Sequence, residues 1–99
     1  MKLAEIAHSR AGDKGNISTL SLIPFRESDY EILKNKITAD RVKQHLHKIV
    51  KGEVIRYEMD KVHALLFVCY DALETGVTTS TAIDPHGKTL SSVLLEMEI

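Results

Sequence analysis

Apolar and polar positions along the chain divide it into short elements. Residues 2–8 alternate Ala4 and Ile6 with Leu3, Glu5 and Ala7, which predicts a short strand. Ser9 to Asn16 follows as an eight-residue polar loop holding Gly12 and Gly15. Ile17 to Ile23 carries apolar residues on both faces, as a central strand does, and Pro24 ends it because proline cannot donate to a sheet ladder. Ser28-Asp29-Tyr30-Glu31 fits a capping box that opens a helix running to Lys36. Thr38 can cap a second helix, in which Val42, Leu46, Ile49 and Val50 fall on one face, and Gly52 stands where a left-handed C-terminal residue is wanted.

The second half is richer in apolar residues. Glu53 to Met59 alternates Val54, Arg56 and Glu58 against Ile55, Tyr57 and Met59, which suits a strand with one wet face. Between Lys61 and Thr75, the residues Val62, Leu65, Leu66, Cys69 and Leu73 form a helical stripe that Gly76 would stop; Phe67, Val68 and Tyr70 also allow a strand. Val77 to Ile83 is β-branched and Thr-rich, favouring a strand, and Asp84-Pro85-His86-Gly87 is a turn by residue type. From Thr89, the positions Leu90, Val93, Leu94 and Met97 give a last helix. About four strands and three to four helices in mixed order pack most economically as a two-layer α+β domain: one largely antiparallel sheet with helices on one face.

Composition narrows the function classes. The 99 residues make one domain, 1–99, whose thin core buries only about 60–65% of the unfolded surface. Thirteen basic and fourteen acidic residues leave a net charge of −1, which argues against a nucleic-acid binder working by bulk charge. No apolar run nears the roughly 20 residues of a membrane helix. Lys2 and Glu5 put charge where a signal peptide wants its apolar core, so a cytoplasmic protein is expected. The single Cys69 excludes an internal disulfide and a multi-cysteine metal site. His45 and His47 lie two apart, roughly 200° around a helix, so they cannot share one ion, and neither a metal nor another cofactor is expected.

Two polar segments could carry chemistry. In the first, Arg10, Gly12, Lys14, Gly15 and Asn16 put two cations beside two glycines, where backbone amides could converge on an anion and Arg10 could grip a phosphate or carboxylate. It lacks the ending of a phosphate-binding P-loop, and a strand follows it rather than a helix. In the second, Asp84, Gly87 and Lys88 flank His86, which titrates near neutral pH. Asp13 and His86 are the two candidate proton carriers. Each segment also reads well as a plain connecting turn.

Arg10-Ala11-Gly12-Asp13-Lys14-Gly15-Asn16 resembles the Arg-Ser-Gly-Asp-Lys-Gly-Asn loop of AtuA-like domains, the small C-terminal domains of acyclic terpene utilisation proteins. Val54-Ile55-Arg56-Tyr57-Glu58, Ala64-Leu65-Leu66-Phe67, the turn from Asp84 to Lys88 and the ending Leu94-Leu95-Glu96-Met97-Glu98-Ile99 are similar to later segments of that family in the same order. Leu66 stands in place of an Asn, and Glu74-Thr75-Gly76 in place of a double glycine. The resemblance implies a two-layer ferredoxin-like sandwich without iron–sulfur chemistry, and a link to acyl-CoA or terpenoid breakdown. It suggests a small accessory subunit of a larger AtuA-type protein, not catalytic alone. Self-association as a structural homo-oligomer and independent binding of an anionic acyl-CoA or carboxylate are the alternatives.

Overall fold

The computed structural model describes residues 1–14, 16–72 and 90–99, with the backbone alone for residues 13 and 14. The two-layer α+β sandwich expected from the pattern is present: a four-stranded antiparallel sheet with helices packed on one face. Its strands are β1 (Ala7–Lys14), β2 (Ile17–Pro24), β3 (Val54–Met59) and β4 (Ala64–Cys69), in the spatial order β1-β2-β4-β3. Between the two hairpins run α1 (Tyr30–Lys36) and α2 (Ala39–His45), and α3 (Leu90–Leu95) comes near the end of the chain.

The first hairpin differs from the sequence expectation. Residues 3–5 form a 3-10 turn rather than a strand, and the polar segment from Ser9 onward is strand β1 itself, paired in register from Ala7↔Pro24 to Lys14↔Ile17. Only two residues, Gly15 and Asn16, connect these strands, a pairing typical of tight hairpins. Polar residues suit β1 because, among the described strands, it pairs on only one side, and its outward side chains need no apolar partner.

The second correction concerns Lys61 to Thr75. A 3-10 turn spans Asp60–Val62, and β4 follows as a central strand between β2 and β3, not a helix. Leu65, Phe67 and Cys69 are fully buried while Leu66 and Val68 are half-buried, the two-residue period of a strand. The helical spacing of Val62, Leu65, Leu66 and Cys69 arises because apolar residues occupy both faces of this strand, so either period can be read through them.

Caps divide the same way. The Thr38 Oγ1 accepts from the Arg41 amide at 3.1 Å and opens α2 as expected. The Ser28–Glu31 box does not form: Ser28 lies in a 3-10 turn over Glu27–Asp29, and Asp29 precedes α1 without a side-chain cap. Gly52 is required by a close approach and not by a left-handed cap, since a Cβ there would meet the Tyr70 carbonyl oxygen at 2.7 Å. The expected strand at Val77–Ile83 and the turn after it lie outside the described residues.

Leu20, Leu22, Leu65, Phe67 and Cys69 on the sheet meet Leu33, Ile37, Val42, Leu46, Leu90 and Leu94 beneath the helices, forming one core. Burial pushes the Cys69 thiol up to about 11, so it is an inert packing group. Among the described residues, no helix is long and apolar enough to cross a membrane.

Candidate functional site

Side chains alternate across a strand, so the pairing register sorts the sheet into two faces. The helix side takes Ser18↔Cys69, Leu20↔Phe67 and Leu22↔Leu65. Among the described residues no helix or strand covers the opposite side, and its residues fall in rows that cross all four strands. One row runs Arg10, Ser21, Leu66, Tyr57, and the next runs Gly12, Thr19, Val68, Ile55. His8 and Ile23 pair further along, where the His8 ring stacks on exposed Phe25 at 5.6 Å.

Beyond Val54, which pairs with Cys69 on the helix side and packs against the core, strand β3 is therefore inserted with its polarity reversed. Arg56 and Glu58 pair with buried Phe67 and Leu65 on the helix side, while Ile55, Tyr57 and Met59 take the open side. The alternation in Glu53 to Met59 identifies two unlike faces, and the structure turns the apolar one outward. Arg56 is tolerated beneath the helices because it has work there. Its guanidinium donates to the carbonyls of Lys34 and Ile37 at 2.7 and 3.1 Å, satisfying orphan acceptors at the end of α1, and it pairs with Glu58 at 2.6 Å.

Of the residues read as an anion loop, Arg10 and Gly12 lie together on the open face, side by side on β1. The backbone of Asp13 and Lys14 continues that strand, and Asn16 at the turn accepts from the Ala72 amide at 2.9 Å through its carbonyl. The Arg10 amide donates to Ser21 Oγ at 3.2 Å, while its exposed guanidinium has no partner among the described residues. A Cβ on Gly12 would meet Thr19 Oγ1 at 3.0 Å, so a side chain there would push on Thr19, and glycine keeps this corner of the face flat. Gly15, Asp84, His86, Gly87 and Lys88 lie outside the described residues.

Linear reading missed a cluster of ionisable groups where α1 meets the β3–β4 connection. The Tyr30 hydroxyl donates to Asp60 Oδ1 at 2.7 Å, Lys34 Nζ sits 3.1 Å from the same carboxylate, and it lies 3.9 Å from Glu58. Burial, the hydrogen bond to Asp60 and the negative charges nearby push the Tyr30 phenol up to about 12. Hydrogen bonds from Tyr30 and Lys34 hold Asp60 below the usual carboxylate range. His63, at φ 53, stands edge-on to the Tyr30 ring and 3.7 Å from Glu27. Every acid and base in this cluster is engaged with another, so it fastens the hairpin to α1. These partners lie some thirty positions apart, beyond the reach of any spacing motif.

A shallow groove of about 270 Å³ is lined by Arg41, Gln44, His45, Met97 and Glu98. Its polar groups are largely committed: Arg41 donates to the carbonyls of Lys36 and Glu98, and His45 Nε2 lies 2.7 Å from the Val93 carbonyl. Of the two polar segments read as chemical candidates, no described residue lines it. No cluster of three or more metal-ligating side chains occurs among the described residues.

A helix-backed antiparallel sheet with one open face places the molecule among α+β, ferredoxin-like sandwiches. The family model described as the AtuA ferredoxin-like domain matches residues 1–99, and the chain belongs to that family. Comparison with curated proteins and with solved structures gave no match.

Proposed function

We propose that this domain works by association: it is an accessory domain or small subunit of a larger AtuA-type protein, which carries the chemistry of acyl-CoA or terpenoid-type breakdown. The reversed polarity of β3 carries this reading. A strand that turns Ile55, Tyr57 and Met59 to solvent, with Tyr57 50% and Met59 44% exposed, offers a surface suited to a partner. Co-expression of the chain with a large AtuA-type protein from the same source tests it. A stoichiometric complex that survives gel filtration at about 10 µM is expected, an affinity ordinary for a subunit contact. Independent elution of the two proteins contradicts it.

The unpartnered Arg10 guanidinium favours one second reading, an anchor for an anionic small molecule such as an acyl-CoA or a carboxylate. Arg10→Ala would then weaken that binding by about 1–3 kcal/mol, the worth of a charge-assisted bond, as read by calorimetry. Unchanged affinity for CoA esters, phosphates and carboxylates alike would end this reading.

A further inference from the structure

The open face is lopsided, and the imbalance is self-complementary. In its two central rows the β1–β2 half is small and carries the cation, Arg10, Gly12, Thr19 and Ser21, with the larger His8, Ile23 and Ile17 at either end. Its β4–β3 half is large, apolar and aromatic: Leu66, Val68, Ile55 and Tyr57. Consider a two-fold axis lying against the face, parallel to the strands and above the junction of β2 with β4. It exchanges β1 with β3 and β2 with β4, so each half of one copy lies over the other half of its mate. Within the first row, Arg10 at one end comes over the partner's Tyr57 and Ser21 over the partner's Leu66. Within the second, flat Gly12 and Thr19 receive the partner's Ile55 and Val68.

We propose that two copies of this chain associate through their open sheet faces, with the guanidinium of Arg10 in each over the Tyr57 ring of the other. Sheets packed face to face keep their strands within about 30° of one another, an offset the long Arg10 side chain can span. A cation over an aromatic face is favourable even when partly wet and more so when desolvated. It also gives the one charge of these two rows a partner, which burial would otherwise leave unpaired. Four strands about 4.8 Å apart, two of them about 26 Å long and two about 20 Å, cover about 450 Å² per copy, about 900 Å² in total, the size of a weak, reversible contact. The interface is isologous, so association through this face closes at two.

This inference rests on the reading of the domain as one that works by association, and it names one partner, a second copy. Sedimentation equilibrium of the full chain should give a mass that rises with concentration from 11.1 kDa toward twice that value. Arg10→Glu and Tyr57→Arg, each at an exposed position and checked for native circular dichroism, should each weaken self-association about tenfold, because one substitution breaks two symmetric contacts. The double variant should recover most of that loss, since the carboxylate introduced on β1 of each copy then meets the guanidinium introduced on β3 of the other. A wild-type chain that stays monomeric at about 100 µM, or a double variant as weak as the sum of its parts, overturns the proposal. Binding of the large AtuA-type protein to the same variants separates the two readings. A monomeric chain whose Tyr57→Arg variant loses the large protein assigns the face to that protein, and it overturns the second-copy proposal while leaving association standing. A chain that binds neither refutes both.

Discussion

The two faces of this sheet are built from neighbouring residues and meet different fates. Leu65, Phe67 and Cys69 are sealed beneath the helices, while Leu66 and Val68, one position away on the same strand, are half-buried on the other face. On β3 the contrast is sharper, because the helix side holds Arg56 and Glu58 and the open side holds Ile55, Tyr57 and Met59. A strand with a period of two declares that its faces differ but does not say which one is buried. Here the end of α1 decides it. Its carbonyls recruit Arg56, and the apolar set is left outward as a consequence of that bond. A charged residue on the core side is therefore satisfied locally, and an apolar surface on the other side becomes available for assembly.

That contrast can be broken by substitution on either side. Among truncations the largest effect should come from Phe67→Ala, which removes the largest fully buried side chain among the described residues and should cost about 3–5 kcal/mol in a denaturant titration. Val68→Ala, its neighbour on the open face, should cost well under half of that at concentrations where the chain is monomeric; equal losses would mean that both faces are core. Gly52→Ala should cost about 1–3 kcal/mol, because the added methyl must push away the Tyr70 backbone at the end of β4. A neutral result would show that this corner yields.

A smaller and pH-dependent effect is expected at the ionic fastening. The folded Tyr30 phenol, raised from 10.0 to about 12, favours its neutral form more than the unfolded chain does. Its contribution is complete below pH 10 and is lost as pH rises from there through about 12. Spectrophotometric titration should show a late tyrosine phase near pH 12, and Tyr30→Phe should abolish that late phase. Should the late phase persist in Tyr30→Phe, the assignment fails. The smallest effect is expected at Ser9, whose buried hydroxyl has no hydrogen-bond partner among the described residues. Ser9→Ala should be neutral or stabilising by up to about 1 kcal/mol in thermal unfolding, whereas a clear loss would reveal a bond to that oxygen.

Much of this architecture was legible where one periodicity dominated. The stripe through Leu90 and Leu94 with Met97 beyond it, the Thr38 cap and the β2 strand closed by Pro24 all stand where the pattern puts them. Two elements misled for physical reasons. Strand β1 is polar and, among the described strands, pairs on one side only, so it imitated a loop, and β4 is apolar on both faces, so it imitated a helix. The Arg10 to Asn16 segment was recognisable as distinctive, yet only the register shows that Arg10 and Gly12 share the open face with Tyr57 and Ile55. The fastening of Tyr30, Lys34, Glu58 and Asp60 was invisible because tertiary packing alone brings it together.

The division of labour between the faces is tested most directly by placing one charge on either side of β4. Leu65→Asp and Leu66→Asp differ by one position along the strand and should be compared by circular dichroism and sedimentation equilibrium. Leu65→Asp should fail to fold, because an unpaired carboxylate would be buried in the core. Leu66→Asp should fold cooperatively and remain at the monomer mass of 11.1 kDa at concentrations where the wild-type chain is paired. If both variants unfold, or if Leu66→Asp folds and still pairs like the wild type, the open face is not the surface through which this domain assembles.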